Sequence, residues 1–477
     1  MHFFESGLRR EDSLNVPCPF QAWPAHNSGT DATEKKESGA LRHTGSTLLS
    51  FDNDGDNIVE LITGDISFTN LEFLHNGGTL TDAHMDWLDT VYPSQNVSAD
   101  IFIFPAAFWV DVDNDGLKDL LAAPNWQMGS ENYKCVWYYK NEGTPITADF
   151  QYQTNTFFID DMIEVGEGAQ PVFFDVDNDG LQDLLIGNHG YFDLSSQNSY
   201  VSQIAYYRNT GDATHPAFQL ITSDFANIAS LNVLSVCPTF ADLDGDGDSD
   251  MLSGRDDGTL LYFKNVAAPG SPANFVFNTQ NYAGIDVGNF SVPQLVDVNE
   301  DGLIDLLIGE RDGNVNYYRN TGSASEPVFT LENAVFGGVD VRSPGYLTGY
   351  SVPYLVELEP GAGYTLLVGS ERGYVYRYTN IDGNLAGNFT KSDSIYSGIK
   401  MGLRSSVSGA DVDGDGKIEL LVGNYRGGVT YYNEAPNVVI NPVASNPAIL
   451  LYPNPSAGNV HAGLPQNFVN HPLTVSV

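Results

Sequence analysis

The strongest constraint on the fold is an acidic motif that recurs about every 60 residues along most of the chain. One copy runs from Asp175 to Leu185 and reads D-x-D-x-D-G-x-x-D-L-L. Complete or partial copies are spaced 54 to 67 residues apart, and they start at Asp52, Asp111, Asp175, Asp242, Asp297, Glu357 and Asp411. Seven similar units of this length predict a repeat architecture, in which each unit buries its apolar surface against its neighbours.

Each unit predicts four short antiparallel strands around the motif. The acidic stretch leads into an apolar segment, and glycine stands twelve residues after the motif start in every unit except the second, which has Ala123. An aromatic segment such as 136–139 follows and usually ends in asparagine. Short apolar and aromatic segments separated by Gly and Asn are typical of β-hairpins. We therefore expect an all-β fold, a seven-bladed β-propeller of four-stranded antiparallel blades.

The sequence does not determine how the propeller ring is closed. The seventh unit stops after Tyr432 and lacks a fourth strand of its own. Residues 436–440 or part of residues 13–40 are two alternative sources of that strand.

The acidic motifs are typical of metal-binding loops between strands. Carboxylates packed this closely repel one another unless a cation lies among them. Positions 1, 3, 5 and 9 of each loop supply side-chain oxygens, position 7 supplies a carbonyl, and Gly (or Asn57 in the first loop) allows the turn at position 6. Donor sets made only of oxygen favour Ca²⁺ over transition metals, and so many carboxylates disfavour a water-retaining Mg²⁺ site.

We predict about five or six structural Ca²⁺ ions in these inter-strand loops. The sixth loop, Glu357 to Thr365, has lost the pattern, and we expect no metal there. The ligands expected in the other loops are Asp52, Asp54, Asp56 and Glu60; Asp111, Asp113, Asp115 and Asp119; Asp175, Asp177, Asp179 and Asp183; Asp242, Asp244, Asp246 and Asp250; Asp297, Asn299, Asp301 and Asp305; and Asp411, Asp413, Asp415 and Glu419.

Composition excludes several classes of partner. The net charge is −40, with 61 acidic and 21 basic residues, so nucleic acid and anionic membrane surfaces are poor ligands. No apolar run is long enough to span a membrane as a helix. Three cysteines, Cys18, Cys135 and Cys237, do not make a disulfide scaffold, and we do not expect Cys135 to pair with Cys237. Because 42% of the residues are hydrophobic, the chain can bury a large core. As a separate expectation, we predict a monomer.

The sequence favours binding over catalysis. It has no zinc-protease, nucleophile-elbow, P-loop or dinucleotide motif. The first three units carry extra residues at 70–104, 125–133 and 188–203, with aromatics among amide and hydroxyl side chains at Trp87, Trp126, Tyr191, Phe192 and Tyr200. We expect a non-enzymatic module that binds an extracellular glycan or protein; the alternatives are a lyase-like enzyme acting on polysaccharides and a purely structural spacer.

Two resemblances to known families sharpen these expectations. Residues 42–434 resemble FG-GAP/VCBS repeats, also found in the integrin α-subunit propeller, through the D-x-D-x-D-G-x-x-D-L-L-x-G pattern; this implies a propeller with calcium in its loops. The segment with Tyr452-Pro453-Asn454-Pro455 and Gly458 resembles the type A sorting domain of the type IX secretion system of Bacteroidota. It implies interaction with that secretion machinery, export across the outer membrane, and a secreted or cell-surface location.

The domain boundaries follow from these assignments. We expect a poorly ordered segment over 1–38, the propeller over 39–434, a linker over 435–447 and a truncated sorting domain over 448–477.

Overall fold

A computed structural model describes residues 45–126, 129–433, 450–452 and 461–463. The described residues fall into two compact units, which divide between residues 159 and 160. Both are built from antiparallel sheets, which confirms the all-β prediction. Among the described residues, no helix is long and apolar enough to cross a membrane. The possible fourth strands of the seventh unit, at 13–40 and 436–440, lie outside the described residues, as does most of the segment that resembles a sorting domain.

The first unit contains two four-stranded sheets. Sheet 1 consists of β1 (Ser46–Phe51), β2 (Glu60–Asp65), β3 (Leu71–Asn76) and β4 (Met85–Tyr92). Sheet 2 consists of β5 (Pro105–Val110), β6 (Asp119–Pro124), β7 (Trp137–Asn141) and β8 (Phe150–Thr154). Residues 70–104, which we had interpreted as an insertion, thus include two regular strands of sheet 1. The interpretation failed because β3 and β4 carry charged residues that weaken the apolar alternation.

The second unit contains five larger sheets. Sheet 3 is made of β9 (Gln170–Phe174), β10 (Asp183–Gly187), β13 (Ile204–Asn209) and β14 (Phe218–Thr222), and the small hairpin of β11 (Tyr191–Phe192) and β12 (Tyr200–Val201) lies between β10 and β13 in the chain. Sheet 4 comprises β15 (Cys237–Ala241), β16 (Asp250–Gly254), β17 (Leu260–Asn265) and β18 (Phe275–Thr279). Sheet 5 comprises β19 (Val292–Val296), β20 (Asp305–Gly309), β21 (Val315–Asn320) and β22 (Phe329–Asn333).

The last two sheets complete this unit. Sheet 6 comprises β23 (Val352–Val356), β24 (Thr365–Gly369), β25 (Val375–Thr379) and β26 (Thr390–Asp393). Sheet 7 has three described strands, β27 (Ser406–Ala410), β28 (Glu419–Gly423) and β29 (Val429–Tyr432). A separate hairpin pairs β30 (Leu450–Tyr452) with β31 (His461–Gly463). Short 3₁₀ segments occur at Ile159–Asp161, Phe225–Leu231, Tyr282–Gly284, Phe336–Gly338 and Tyr396–Gly398.

Apolar cores lie between successive sheets of each unit. In the first unit, Phe51, Phe73 and Phe150 are buried between sheets 1 and 2. In the second unit, separate cores join sheets 3 and 4, 4 and 5, 5 and 6, and 6 and 7. Phe174 and Phe240, for example, stack with ring centroids 4.2 Å apart. Sheets 4, 5 and 6 are therefore covered on both faces, as expected for the blades of a β-propeller.

Sheet 7 also packs against sheet 3, so the five sheets of the second unit form a ring. One core contains Phe173 and Leu184 of sheet 3 together with Leu421 of sheet 7. The Ser406 hydroxyl donates a hydrogen bond to the Ala169 carbonyl. The ring of seven blades that the repeat count predicts is not confirmed, since within the second unit the seventh repeat packs against the third.

Candidate metal centres

Six acidic loops have the same backbone geometry, and each joins the first two strands of its sheet. The amide at position 6 donates to the carboxylate at position 1, with N–O distances from 2.8 Å for Gly302 to 3.1 Å for Gly116. Position 6 has positive φ in every one of these loops, 66° at Asn57 and 83–92° at the glycines. A residue without a Cβ, or an asparagine, tolerates this conformation best, which explains the sequence pattern.

The structure brings predicted ligands together in five loops. In each, three carboxylate oxygens lie within 4.8 Å of one another. The groups are Asp52, Asp54 and Glu60; Asp111, Asp113 and Asp115; Asp175, Asp177 and Asp183; Asp242, Asp244 and Asp246; and Asp411, Asp413 and Glu419. The remaining predicted ligands of these loops, and the whole set Asp297, Asn299, Asp301 and Asp305, are not part of such a group among the described residues.

Several oxygens in these loops fit a cation because they are buried without a hydrogen-bond donor. They are Glu60 Oε1, Asp111 Oδ1, Asp177 Oδ1 and Asp244 Oδ1, which belong to four of the five groups. A buried carboxylate oxygen without a partner is costly, whereas a bound hard cation would satisfy it. The donor chemistry of the loops therefore matches the predicted type of ion.

The carboxylate at position 9 has a second role that the sequence did not reveal. It is at most 1% exposed in all six loops, at Glu60, Asp119, Asp183, Asp250, Asp305 and Glu419. In loop 2 the two oxygens of Asp119 accept backbone N–H bonds from Val112, at 2.9 Å, and from Asn141, at 2.8 Å. In loops 2 to 5 the position-9 side chain therefore connects its loop to the third strand of the sheet.

Burial governs the ionisation of these position-9 groups. It raises the pKa of Asp250 to about 6, against the lowering effect of hydrogen bonds from the Asn265 amide and the Tyr262 hydroxyl. The pKa values of Glu60, Asp119, Asp183, Asp305 and Glu419 are also raised, mainly by burial. Proximity to a divalent ion would favour their charged forms.

The asparagine that ends the aromatic strand is a functional residue whose role the sequence left unexplained. In sheet 4, the Asn265 backbone N–H donates to Asp250 at 2.8 Å, and its side-chain amide donates to the Ser249 carbonyl at 3.2 Å. Asn265 Oδ1 accepts the N–H groups of Ala267 and Asn274. Equivalent networks surround Asn141 and Asn209. We call this residue the clamp asparagine, because its hydrogen bonds hold the loop, the third strand and the following turn together. The recurrence of Asn at this position was the sequence signal for it.

The aromatic residues of the extra segments are distributed between exposed and half-buried positions. Trp87 on β4 is 51% exposed and Trp126 is 44% exposed. Tyr191, Phe192 and Tyr200 are half-buried in the β11–β12 hairpin. Cys135 and Cys237 do not form a disulfide with each other, as expected.

Comparison with known proteins supports the repeat assignment. Residues 111–186 and 175–253 match the family described as FG-GAP-like repeat. No curated protein matches the chain. Similar solved structures include an Agrocybe aegerita lectin that recognises non-reducing terminal N-acetylglucosamine, with 15% identity, 80% of this chain and 86% of that chain covered, and a TM-score of 0.28. The Dos1 propeller aligns at 12% identity over 78% of this chain and 74% of its own, with a TM-score of 0.25. Residues 111–253 are thus similar to FG-GAP-like repeats, within an all-β chain built mainly of four-stranded antiparallel sheets.

Proposed function

We propose that this protein is a calcium-stabilised, non-catalytic binding module that acts outside the cell or on its surface. The observation that carries the calcium assignment is the repeated acidic loop, with three carboxylates grouped in five copies and buried oxygens without donors in four. The secreted or surface location rests on the resemblance of the C-terminal segment to a secretion sorting domain.

The ions would serve a structural purpose in this proposal. Each loop joins two strands of one sheet, so a bound ion would offset the repulsion among carboxylates at the point where the chain reverses. Binding to the folded state alone stabilises it by about 2.7 kcal/mol per site when the free ion concentration is 100 times Kd. Several such sites would add up to a large part of the stability of a typical domain.

A melting experiment tests the calcium assignment. We expect excess EDTA to lower Tm by on the order of 10 °C, because several kcal/mol of linked binding energy is lost. Adding Ca²⁺ back should restore the original Tm, whereas Mg²⁺ at the same concentration should raise Tm much less. An identical melt in EDTA and in Ca²⁺ would refute the assignment.

The exposed tryptophans support a binding role. Trp87 and Trp126 present large apolar rings to solvent, and rings of this kind form platforms for sugars and anchors for protein ligands. A screen against glycans and matrix proteins, with and without Ca²⁺, tests this role, with Trp87→Ala and Trp126→Ala as loss-of-binding variants. Unsaturated products from a polysaccharide would instead identify a lyase, and failure to bind anything under either condition would favour a spacer.

A further inference from the structure

A basic side chain occupies the same structural position in each of the first five repeats. In the third strand of each of these five sheets, one residue pairs with position 10 of the loop, and the basic residue comes next in the chain. In sheet 4, for example, Phe263 pairs with Met251, and Lys264 follows Phe263. It also immediately precedes the clamp asparagine. The five residues are His75, Lys140, Arg208, Lys264 and Arg319.

Three of these side chains, Lys140, Arg208 and Lys264, contact the carboxylates at both position 3 and position 5 of their own loops. Arg208 Nε lies 2.6 Å from Asp177, and its Nη2 lies 3.2 Å from Asp179. Lys264 bonds Asp244 and lies 3.5 Å from Asp246.

The remaining three repeats show the full contact once and part of it twice. Lys140 bonds Asp113 and lies 3.2 Å from Asp115, with its side chain 33% exposed. Arg319 contacts position 5 alone, with Nη2 3.2 Å from Asp301. His75 contacts position 3 alone, with Nε2 3.5 Å from Asp54, while its Nδ1 lies 2.6 Å from Asp86 outside the loop. The cations therefore sit on the carboxylates that a divalent ion would also use.

The last two repeats provide natural comparisons. Register places Thr379 at this position in sheet 6, where the acidic loop is degenerate. In sheet 7 the equivalent residue is Asn433, because Tyr432 pairs with Leu420. Loop 7 keeps all four carboxylates, but there a neutral amide, Asn433 Nδ2, lies 3.3 Å from Asp413.

We propose that the basic residues are tethered counter-ions, which compete with the divalent ion for the carboxylates at positions 3 and 5. This inference rests on the proposed calcium function. A positive charge held against two ligands must move aside or share them when a second cation arrives, so it lowers the affinity of its loop. Loop 7 has a neutral amide in place of this third-strand charge and fills first, whereas loops 2, 3 and 4 fill at higher Ca²⁺ concentrations.

The same charge has the opposite effect in the absence of metal. An ammonium or guanidinium group among close carboxylates relieves part of their repulsion, so the loop is less dependent on Ca²⁺ for its conformation. Removal of the charge should therefore destabilise the metal-free protein and strengthen metal binding. An ordinary surface ion pair would not produce this pair of effects.

The test uses the full chain and two readouts, calorimetric Ca²⁺ titration and melting in EDTA and in saturating Ca²⁺. We expect Lys264→Met and Lys140→Met, which keep the aliphatic stem, to tighten a weak binding step about three- to tenfold. Each should lower Tm in EDTA but lower it less, or raise it, in saturating Ca²⁺. The matched control is Lys391→Met, since Lys391 lies over the rings of Tyr376 and Tyr378 and away from the acidic loops.

The converse variant adds the charge where it is missing. Asn433→Lys should weaken the tightest Ca²⁺ step about three- to tenfold, whereas Asn433→Gln, which stays neutral, should leave it nearly unchanged. If Ca²⁺ binds but these affinities do not move, or if Lys264→Met lowers Tm equally in EDTA and in Ca²⁺, the counter-ion role is overturned and the calcium assignment stands. A wild-type chain that binds no Ca²⁺ overturns both.

Discussion

At the scale of single residues, the acidic loops depend on buried polar groups as much as on exposed carboxylates. The position-9 carboxylate and the clamp asparagine have almost no solvent contact, yet together they accept or donate bonds to the loop, the third strand and the turn beyond it. Buried polar groups are tolerated only when they are satisfied in this way. The carboxylate positions could be predicted from the motif, but the hydrogen bonds of the asparagine could not, because they depend on which strands pair.

Loss of the clamp should therefore be costly. Asn265→Ala leaves the N–H groups of Ala267 and Asn274 and the Ser249 carbonyl without their partner, and we expect a loss of about 2–4 kcal/mol in the free energy of unfolding. Urea denaturation measures it. Asn281→Ala, at an exposed position, is the control, and an equal loss in both variants would refute the clamp.

The environment of His189 predicts how the stability of the protein depends on pH. Burial, with a smaller effect of the Arg404 charge, lowers the pKa of His189 to about 4, and its Nδ1 lies 2.7 Å from the Ser235 hydroxyl. The folded protein thus keeps this imidazole neutral, while in the unfolded chain its pKa is about 6.5. The stability that it contributes is present above pH 6.5 and is lost as the pH falls towards 4.

In the wild type, His189 lowers the free energy of unfolding as the pH falls from 6.5 to 4, and we expect His189→Gln to remove this effect. The effect is at most about 3 kcal/mol, because one pKa unit corresponds to about 1.4 kcal/mol. Denaturant midpoints measured across this range for both proteins test it. Parallel profiles would show that His189 does not titrate as the structure indicates.

At the scale of elements, the recurrent glycine at the end of the second strand sets how closely consecutive sheets approach. A Cβ added to Gly254 would lie 2.0 Å from the Ser291 carbonyl oxygen of the next repeat, and one added to Gly309 would lie 2.1 Å from the Ser351 oxygen. At Gly423, the nearest atom is the Ala169 oxygen, at 2.3 Å. The seventh repeat therefore meets the third as every other repeat of the second unit meets its successor.

Filling this contact should separate two sheets. We expect Gly254→Ala to destabilise the protein by about 1–3 kcal/mol, the usual range for overpacking, because the clash is with backbone that cannot rotate away. Gly428→Ala, whose Cβ would be 3.4 Å from its nearest neighbour, is the control. The same thermal shift for both variants would contradict the close-approach explanation.

At the scale of the whole molecule, the repeats divide between two compact units, and the second unit contains five of their sheets. The five sheets of the second unit close through a core shared by sheets 3 and 7 and through the bond from Ser406 to Ala169. A sequence signal for this division exists. The one repeat with Ala123 in place of glycine forms the last sheet of the first unit, and so it has no successor within that unit.

Closure of the second unit predicts that it folds by itself. A fragment of residues 160–433 should be rich in β structure and melt cooperatively in Ca²⁺, since its inter-sheet cores are all internal. A shorter fragment of residues 224–433, which lacks sheet 3, loses two of the five cores and should not melt cooperatively. Circular dichroism melts of the two fragments decide the matter, and similar melts for both would refute ring closure.

The sequence by itself determined the all-β class, the position of the acidic loops and the chemistry of their oxygen donors, because these features depend on short motifs and local strand patterns. Tertiary structure alone decided which repeats meet, where the ring closes and which basic side chains lie over the carboxylates. These features depend on contacts between residues far apart in the chain, such as Ser406 with Ala169, and a repeat pattern is the same whichever neighbour each repeat finally packs against.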